Sequence, residues 1–158
     1  VEAYYQEVGR AGRDGKPSVC ALLYCEDDLA IQQTFVEWLN PSAQLLRDTA
    51  DAARRWPHGD FEADDVREAV VGRNRGDRRL ESCLLQLTKL GVLEPGALPE
   101  TWRAVRGLAP DELSEETLAH KRQRDLQRLL DMVKLVKGED VRAFVLDYFG
   151  LDGTAAQG

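Results

Sequence analysis

Four stretches of apolar patterning divide the chain. Ser18-Val-Cys-Ala-Leu-Leu-Tyr24 is a nearly continuous apolar run after Lys16-Pro17, the pattern of a short buried strand. Asp27 and Asp28 then offer N-caps for a helix to about Leu39, whose Leu29, Phe35, Val36 and Leu39 keep roughly helical spacing until Asn40-Pro41 breaks it. Residues 41–58 read as a linker helix region. From residue 59 the cadence changes: Phe61 ahead of Val66, Ala69 and Val70 has the form of a short helix entered through a hydrophobic staple. Gly72-Arg-Asn-Arg-Gly76 follows as a flexible basic turn. Leu80, Cys83, Leu84 and Leu87 stand at i, i+3, i+4 and i+7, with Gly91 placed to cap the helix they define. Val92-Leu93 and Thr101 to Arg106 read as two strands around Pro95-Gly96, so residues 59–107 carry a helix-turn-helix followed by a wing.

The last stretch starts acidic, at Asp111-Glu-Leu-Ser114, and runs as one long helix to about Lys137. Leu118, Leu126, Leu129, Leu130, Val133 and Val136 form its expected buried stripe, and Gly138 stops it. Asp140 can cap a second helix bearing Val141, Phe144, Val145 and Tyr148. Residues 151–158 read as a disordered tail. The fold class expected is mainly α with short β elements.

Composition narrows the classes. A chain of 158 residues suits one ordinary domain or two small ones, and no apolar run approaches membrane-spanning length, so no membrane partner is expected. The net charge of -7 argues against a wholly basic nucleic-acid binder but leaves room for a local basic patch. Cys20, Cys25 and Cys83 are odd in number and lack paired Cys-x-x-Cys spacing, which fits a reducing cytoplasm rather than a disulfide framework or a zinc site.

The densest chemistry lies in Tyr4-Tyr-Gln-Glu-Val-Gly-Arg-Ala-Gly-Arg-Asp-Gly15. Gln6 to Arg10 is an i,i+4 step and Arg10 to Arg13 an i,i+3 step, so a helix through the segment projects all three the same way. Arginine suits phosphate sites because its planar, permanently charged fork binds oxygens in pairs and stabilises charge developing in phosphoryl transfer. Gly9 in mid-helix costs about 1 kcal/mol against alanine unless a close approach requires it.

Gln6-x-x-Gly9-Arg10-x-Gly12-Arg13 resembles the last motif of superfamily 2 helicases, and the longer string from Tyr4 to Gly15 is similar to its form in RecQ-type DNA helicases. The resemblance implies that residues 1–40 are the tail end of a second RecA-like lobe. It also implies that Arg10 and Arg13 reach the phosphates of ATP held by a first lobe, Arg13 as arginine finger, with Gln6 positioning them. ATP and Mg2+ are cofactors of the complete helicase. The chain itself has no Gly-x-x-x-x-Gly-Lys-Ser/Thr loop and no Asp-Glu-x-His string, so alone it is expected not to hydrolyse ATP, and the first lobe is an expected partner in the same or a separate chain.

Leu87 to Leu93 is similar to the end of a recognition helix in winged-helix domains, which makes Arg73, Arg75, Arg78 and Arg79 candidate contacts to duplex or forked DNA without sequence preference. Asp77 and Glu81, interspersed among them, equally suit a solvated structural face. Residues 108–150 look like the helical hairpin of the RecQ zinc-binding subdomain. Val141 stands where that family has a cysteine, and valine cannot ligate zinc, so no zinc is expected. The reading is the carboxy-terminal portion of a RecQ-like, ATP-dependent 3'-5' DNA helicase, cytoplasmic and nucleoid-associated. Its alternatives are a noncatalytic helicase-derived DNA-binding module and a fragment serving only in protein contact.

Overall fold

The computed structural model describes residues 1–151. The described chain is mainly helical with a small three-stranded sheet. In order it runs α1 (Glu2–Val8), α2 (Asp28–Leu39), α3 (Ala43–Arg55), β1 (Phe61–Glu62), α4 (Ala63–Val70), α5 (Arg79–Lys89), β2 (Leu93–Pro95), β3 (Thr101–Ala104), a single 3-10 turn at Pro110–Glu112, α6 (Glu115–Lys137) and α7 (Val141–Tyr148). It divides into two compact units. One is Val1–Gln32 together with the chain from Asp125 onward, and the other is Gln33–Arg124.

The core of the unit 33–124 is assembled from α3, α4, α5 and the sheet. On α3, Ala43, Leu46, Ala50 and Ala53 recur at helical spacing and are buried, so small side chains let the helix lie close to its neighbours. Within the expected linker helix region 41–58, α3 is thus a helix that supplies this core. Ser42 caps it by accepting from the Leu45 amide at 3.2 Å. Phe61, Val66, Leu80, Cys83, Leu84, Leu87, Val92 and Leu93 complete the interior. Burial among them pushes the Cys83 thiol up to about 11, so it packs as a small apolar group.

Gly91 ends α5 as its position in the sequence suggests. It takes φ +69 and donates to the Thr88 carbonyl, while Val92 donates to the Leu87 carbonyl, both at 3.0 Å. This is a Schellman motif, closed by the buried pair Leu87 and Val92. The chain emerges from it into β2, which pairs antiparallel with β3. The sheet order is β1-β3-β2, with Phe61 opposite Trp102 and Leu93 opposite Ala104.

In the other unit Val1, Leu135 and Val145 are buried, with Tyr4, Met132, Phe144 and Tyr148 packed on them. The expected stripe of α6 omitted Leu135. Leu126 and Leu130 remain exposed, because α7 and Val1 cover the side of α6 that carries Leu135. Asp140 caps α7 as expected, accepting from the Ala143 amide at 2.9 Å.

The expected strand at residues 18–24 does not form. The stretch has no regular structure, and Val19 and Leu23 are each 96% exposed. A strand needs ladder partners, and among the described residues the one sheet lies in the unit 33–124. The expected tail falls, beyond Leu151, outside the described residues.

Candidate functional site

Two basic segments hold the candidate residues. In the first, α1 ends at Val8. The Gly9 amide reaches the Tyr5 carbonyl at 3.0 Å, and then the bonds tighten: Arg10 donates to Glu7 and Ala11 to Val8, both at 3.1 Å. Gly12 takes φ +68 and reverses the chain, so the helical i,i+3 step from Arg10 to Arg13 does not exist. This corrects two sequence expectations. Gly9 stands at a helix terminus rather than in mid-helix, and Gln6, Arg10 and Arg13 do not share one helix face. The helix stops because glycines at 9, 12 and 15 and the following Pro17 give it nothing to continue on.

What the segment presents is solvent-facing charge. Gln6, Arg10 and Arg13 are all exposed. Arg10 lies 3.9 Å from Glu7, both well hydrated, and Arg13 has no ion-pair partner among the described residues. The segment is anchored behind them: Tyr5 packs against Phe149 with the rings tilted and their centroids 4.9 Å apart, and the Tyr148 hydroxyl donates to Glu2 at 2.9 Å. Two guanidinium forks on a short turn, backed by aromatic anchors, can meet an anion brought by another surface. Among the described residues no group of three or more His, Cys, Asp or Glu side chains is placed to hold a metal ion.

The second segment is the turn between α4 and α5. All four of its candidate arginines face carboxylates of the same unit. Arg73 meets Glu68 at 2.8 Å, Arg75 meets Asp64 at 3.4 Å and Arg78 meets Glu81 at 3.3 Å. Arg79 grips Asp77 through Nε and Nη2, the latter at 2.5 Å, and this hydrogen bonding holds the Asp77 carboxyl below its ordinary range. Arg73 and Arg75 are the most open, with side chains 85% and 84% exposed, against 47% for Arg79.

Beneath them lies Arg67, which the sequence reading passed over. Its side chain is only 7% exposed, yet it donates to Asp64 and to Glu81, each at 2.7 Å, and to the Asp77 carbonyl at 3.0 Å. Burial disfavours its charge, but these bonds more than compensate. Arg67 therefore ties α4, the turn and the start of α5 together. Its signal in the sequence was a charged residue directly after the core residue Val66, three positions beyond Asp64. A cavity of about 410 Å³ opens beside this network, lined by Arg67, Arg75, Arg78, Glu81 and Trp102. Glu81 Oε2 is buried there without a hydrogen-bond partner among the described residues.

Known proteins give these segments a context. The probable ATP-dependent DNA helicase RecS of Bacillus subtilis (strain 168) is 29% identical over 149 residues, which is 94% of this chain and 26% of that protein. The chain is similar to RecQ-type helicases. The ATP-dependent DNA helicase RecQ of the same bacterium is 51% identical over 37 residues, covering 23% of this chain and 6% of the relative. The RecQ-like DNA helicase blm-1 of Caenorhabditis elegans is 64% identical over 28 residues, covering 18% and 3%. The chain thus spans about a quarter of RecS and far less of the other two. No family profile and no solved structure matches it. No described helix is long and apolar enough to cross a membrane.

Proposed function

We propose that this chain is a portion of a RecQ-type, ATP-dependent 3'-5' DNA helicase that carries the last helicase motif. It contributes Arg10 and Arg13 to ATP and Mg2+ bound by a first RecA-like lobe, and works in the cytoplasm on nucleoid DNA. Gln6 positions the arginines, and Arg13 acts as the finger that stabilises charge on the transferred phosphoryl group. The observation that carries the reading is the similarity along 94% of the chain to a RecQ-type relative, in a protein whose two motif arginines are open to solvent. A finger supplied across a cleft must be free to reach a nucleotide held elsewhere, and Arg13 has no competing partner among the described residues.

Residues 59–107 act in this reading as a winged-helix-like module that touches duplex or forked DNA through Arg73, Arg75, Arg78 and Arg79. The order β1-α4-α5-β2-β3 supports it. Arg73 and Arg75 are the principal phosphate contacts, since Arg79 is committed to Asp77. The hairpin α6–α7 braces the motif segment without zinc. The test is phosphate release: the chain joined to a RecQ-type first lobe hydrolyses ATP in response to DNA, and Arg13→Ala lowers that rate by about 10³-fold while ATP still binds. Equal rates with and without Arg13 would refute the assignment.

A noncatalytic DNA-binding role is favoured only if the arginine turn binds DNA while Arg13 proves silent.

A further inference from the structure

On the unit 33–124 a groove opens between the end of α2, α6 and the side of the arginine turn that carries Asn74 and Arg79, away from Arg73 and Arg75. It encloses about 500 Å³, within the range of sites that hold a small organic group, and Glu37, Trp38, Asn74, Asp77, Arg79 and Arg122 are among the residues that line it. Its walls are held in place. The Lys121 ammonium donates to the Leu39 carbonyl at 3.0 Å and to Asn40 Oδ1 at 2.7 Å, fastening the start of α6 to the end of α2. Asn40 Nδ2 in turn donates to the Val36 carbonyl at 2.8 Å, and Gln86 Nε2 reaches the Leu39 carbonyl at 3.4 Å. Trp38 packs against Phe35 with centroids 5.5 Å apart, which fixes one edge of the indole.

Three groups in this groove are uncommitted. Arg122 is exposed and has no ion-pair partner among the described residues, although its neighbour Lys121 is tied down. Asn74 uses Oδ1 to hold the Gly76 amide at 2.9 Å, which leaves its Nδ2 as a donor. The indole of Trp38 is half-buried and lines the cavity. An aromatic wall, an amide donor and one cation match the parts of a single unpaired nucleotide: a base face, a base carbonyl and a phosphate. The carboxylates of Glu37 and Asp77 balance the two arginines, so the groove is close to neutral. Stacking must therefore supply more of the affinity than charge. A duplex hides its base faces, so the matching ligand is a single strand.

We infer that this groove binds one unpaired nucleotide of single-stranded DNA, its base stacked on Trp38 and its phosphate on Arg122. The inference rests on the reading of the protein as one that works on DNA, and it adds a single-strand contact distinct from Arg73 and Arg75. On this account the groove holds the separated strand while the arginine turn meets the duplex.

The experiment titrates the 158-residue chain with a 12-nucleotide oligo-thymidine and, separately, with a hairpin duplex. Fluorescence is read in a variant in which Trp56→Phe and Trp102→Phe leave Trp38 as the reporter. Oligo-thymidine should quench Trp38 saturably. Trp38→Leu in the wild-type background should weaken single-strand binding about tenfold, measured by anisotropy of a labelled oligonucleotide, with duplex binding unchanged. Arg122→Ala should weaken it several-fold and reduce the salt slope by about 0.7, the share of one phosphate on a single strand. Arg122 is exposed, so that variant folds even if Trp38→Leu does not, and circular dichroism checks both. Single-strand binding without quenching of Trp38, or at wild-type strength in Arg122→Ala, would overturn the inference. If duplex binds and oligo-thymidine does not, the groove assignment alone falls. If neither binds, the DNA-directed reading falls with it.

Discussion

At the scale of single residues, charge on this surface is arranged in pairs, and the pairs set what each arginine can do. A phosphate approaching Arg73 must displace the Glu68 carboxylate 2.8 Å away. Glu68→Gln keeps the side-chain shape and removes that competitor, so duplex binding should tighten; an unfolded variant could not produce a gain. Arg73→Ala with Arg75→Ala should instead weaken binding to all sequences alike and lower the salt slope by about 1.8 units. A fluorescence titration over several salt concentrations measures both, and unchanged slopes would make these arginines a solvated face. Arg67 is a different kind of arginine. Its removal leaves Glu81, one of whose oxygens is already buried without a partner, facing an emptied site. Arg67→Ala should cost about 2–3 kcal/mol, below the full range for a buried pair because Asp64 and Glu81 retain solvent access. Urea denaturation checks this, and a loss under about 0.5 kcal/mol would mean that Arg67 is not the tie.

At the scale of elements, caps and clasps decide where the chain turns. Gly91→Ala forces a side chain into the left-handed region and should cost about 1 kcal/mol, seen as a lower urea midpoint. Just beyond β3, Arg106 bonds both Glu112 oxygens and the carbonyls of Leu90 and Gly91, and the Arg106 guanidinium beside it, with the Ala109 amide, draws the Glu112 carboxyl down to about 2. A carboxyl depressed on folding adds stability that is present above its unfolded value, near 4.5, and is lost as pH falls toward 2. Wild type should therefore be more stable than Glu112→Gln at pH 6, and the gap should close between about pH 4.5 and 2. A gap independent of pH would contradict the clasp. Much of this layer was legible in the sequence. Leu80, Cys83, Leu84, Leu87 and Gly91 marked α5 and its end because helical period and a left-handed cap are local properties. The strand expected at 18–24 failed because a strand is a property of its neighbours, which no local pattern supplies. The motif segment failed as a continuous helix for a local reason: the positive φ of Gly12 breaks the helical step from Arg10 to Arg13.

At the scale of the whole molecule, the proposed function rests on what the motif arginines face. Their identities were legible and their exposure was not, since pattern alone does not say which surface a charge meets. Cys20 and Cys25 are exposed and Val141 opens α7 without a thiolate, so elemental analysis of the purified chain should find zinc well below one per protein, with melting unchanged by chelators. One tightly held zinc per chain would contradict the proposed hairpin. The most direct test of the central claim is DNA-stimulated phosphate release by this chain joined to a RecQ-type nucleotide-binding lobe, with wild type, Arg13→Ala and Arg13→Lys compared. The account predicts turnover in wild type, a loss of about 10³-fold in Arg13→Ala with ATP binding retained, and poor rescue by lysine, which lacks the planar fork. Undiminished turnover in Arg13→Ala, or turnover by this chain alone that vanishes with Arg13, would contradict it.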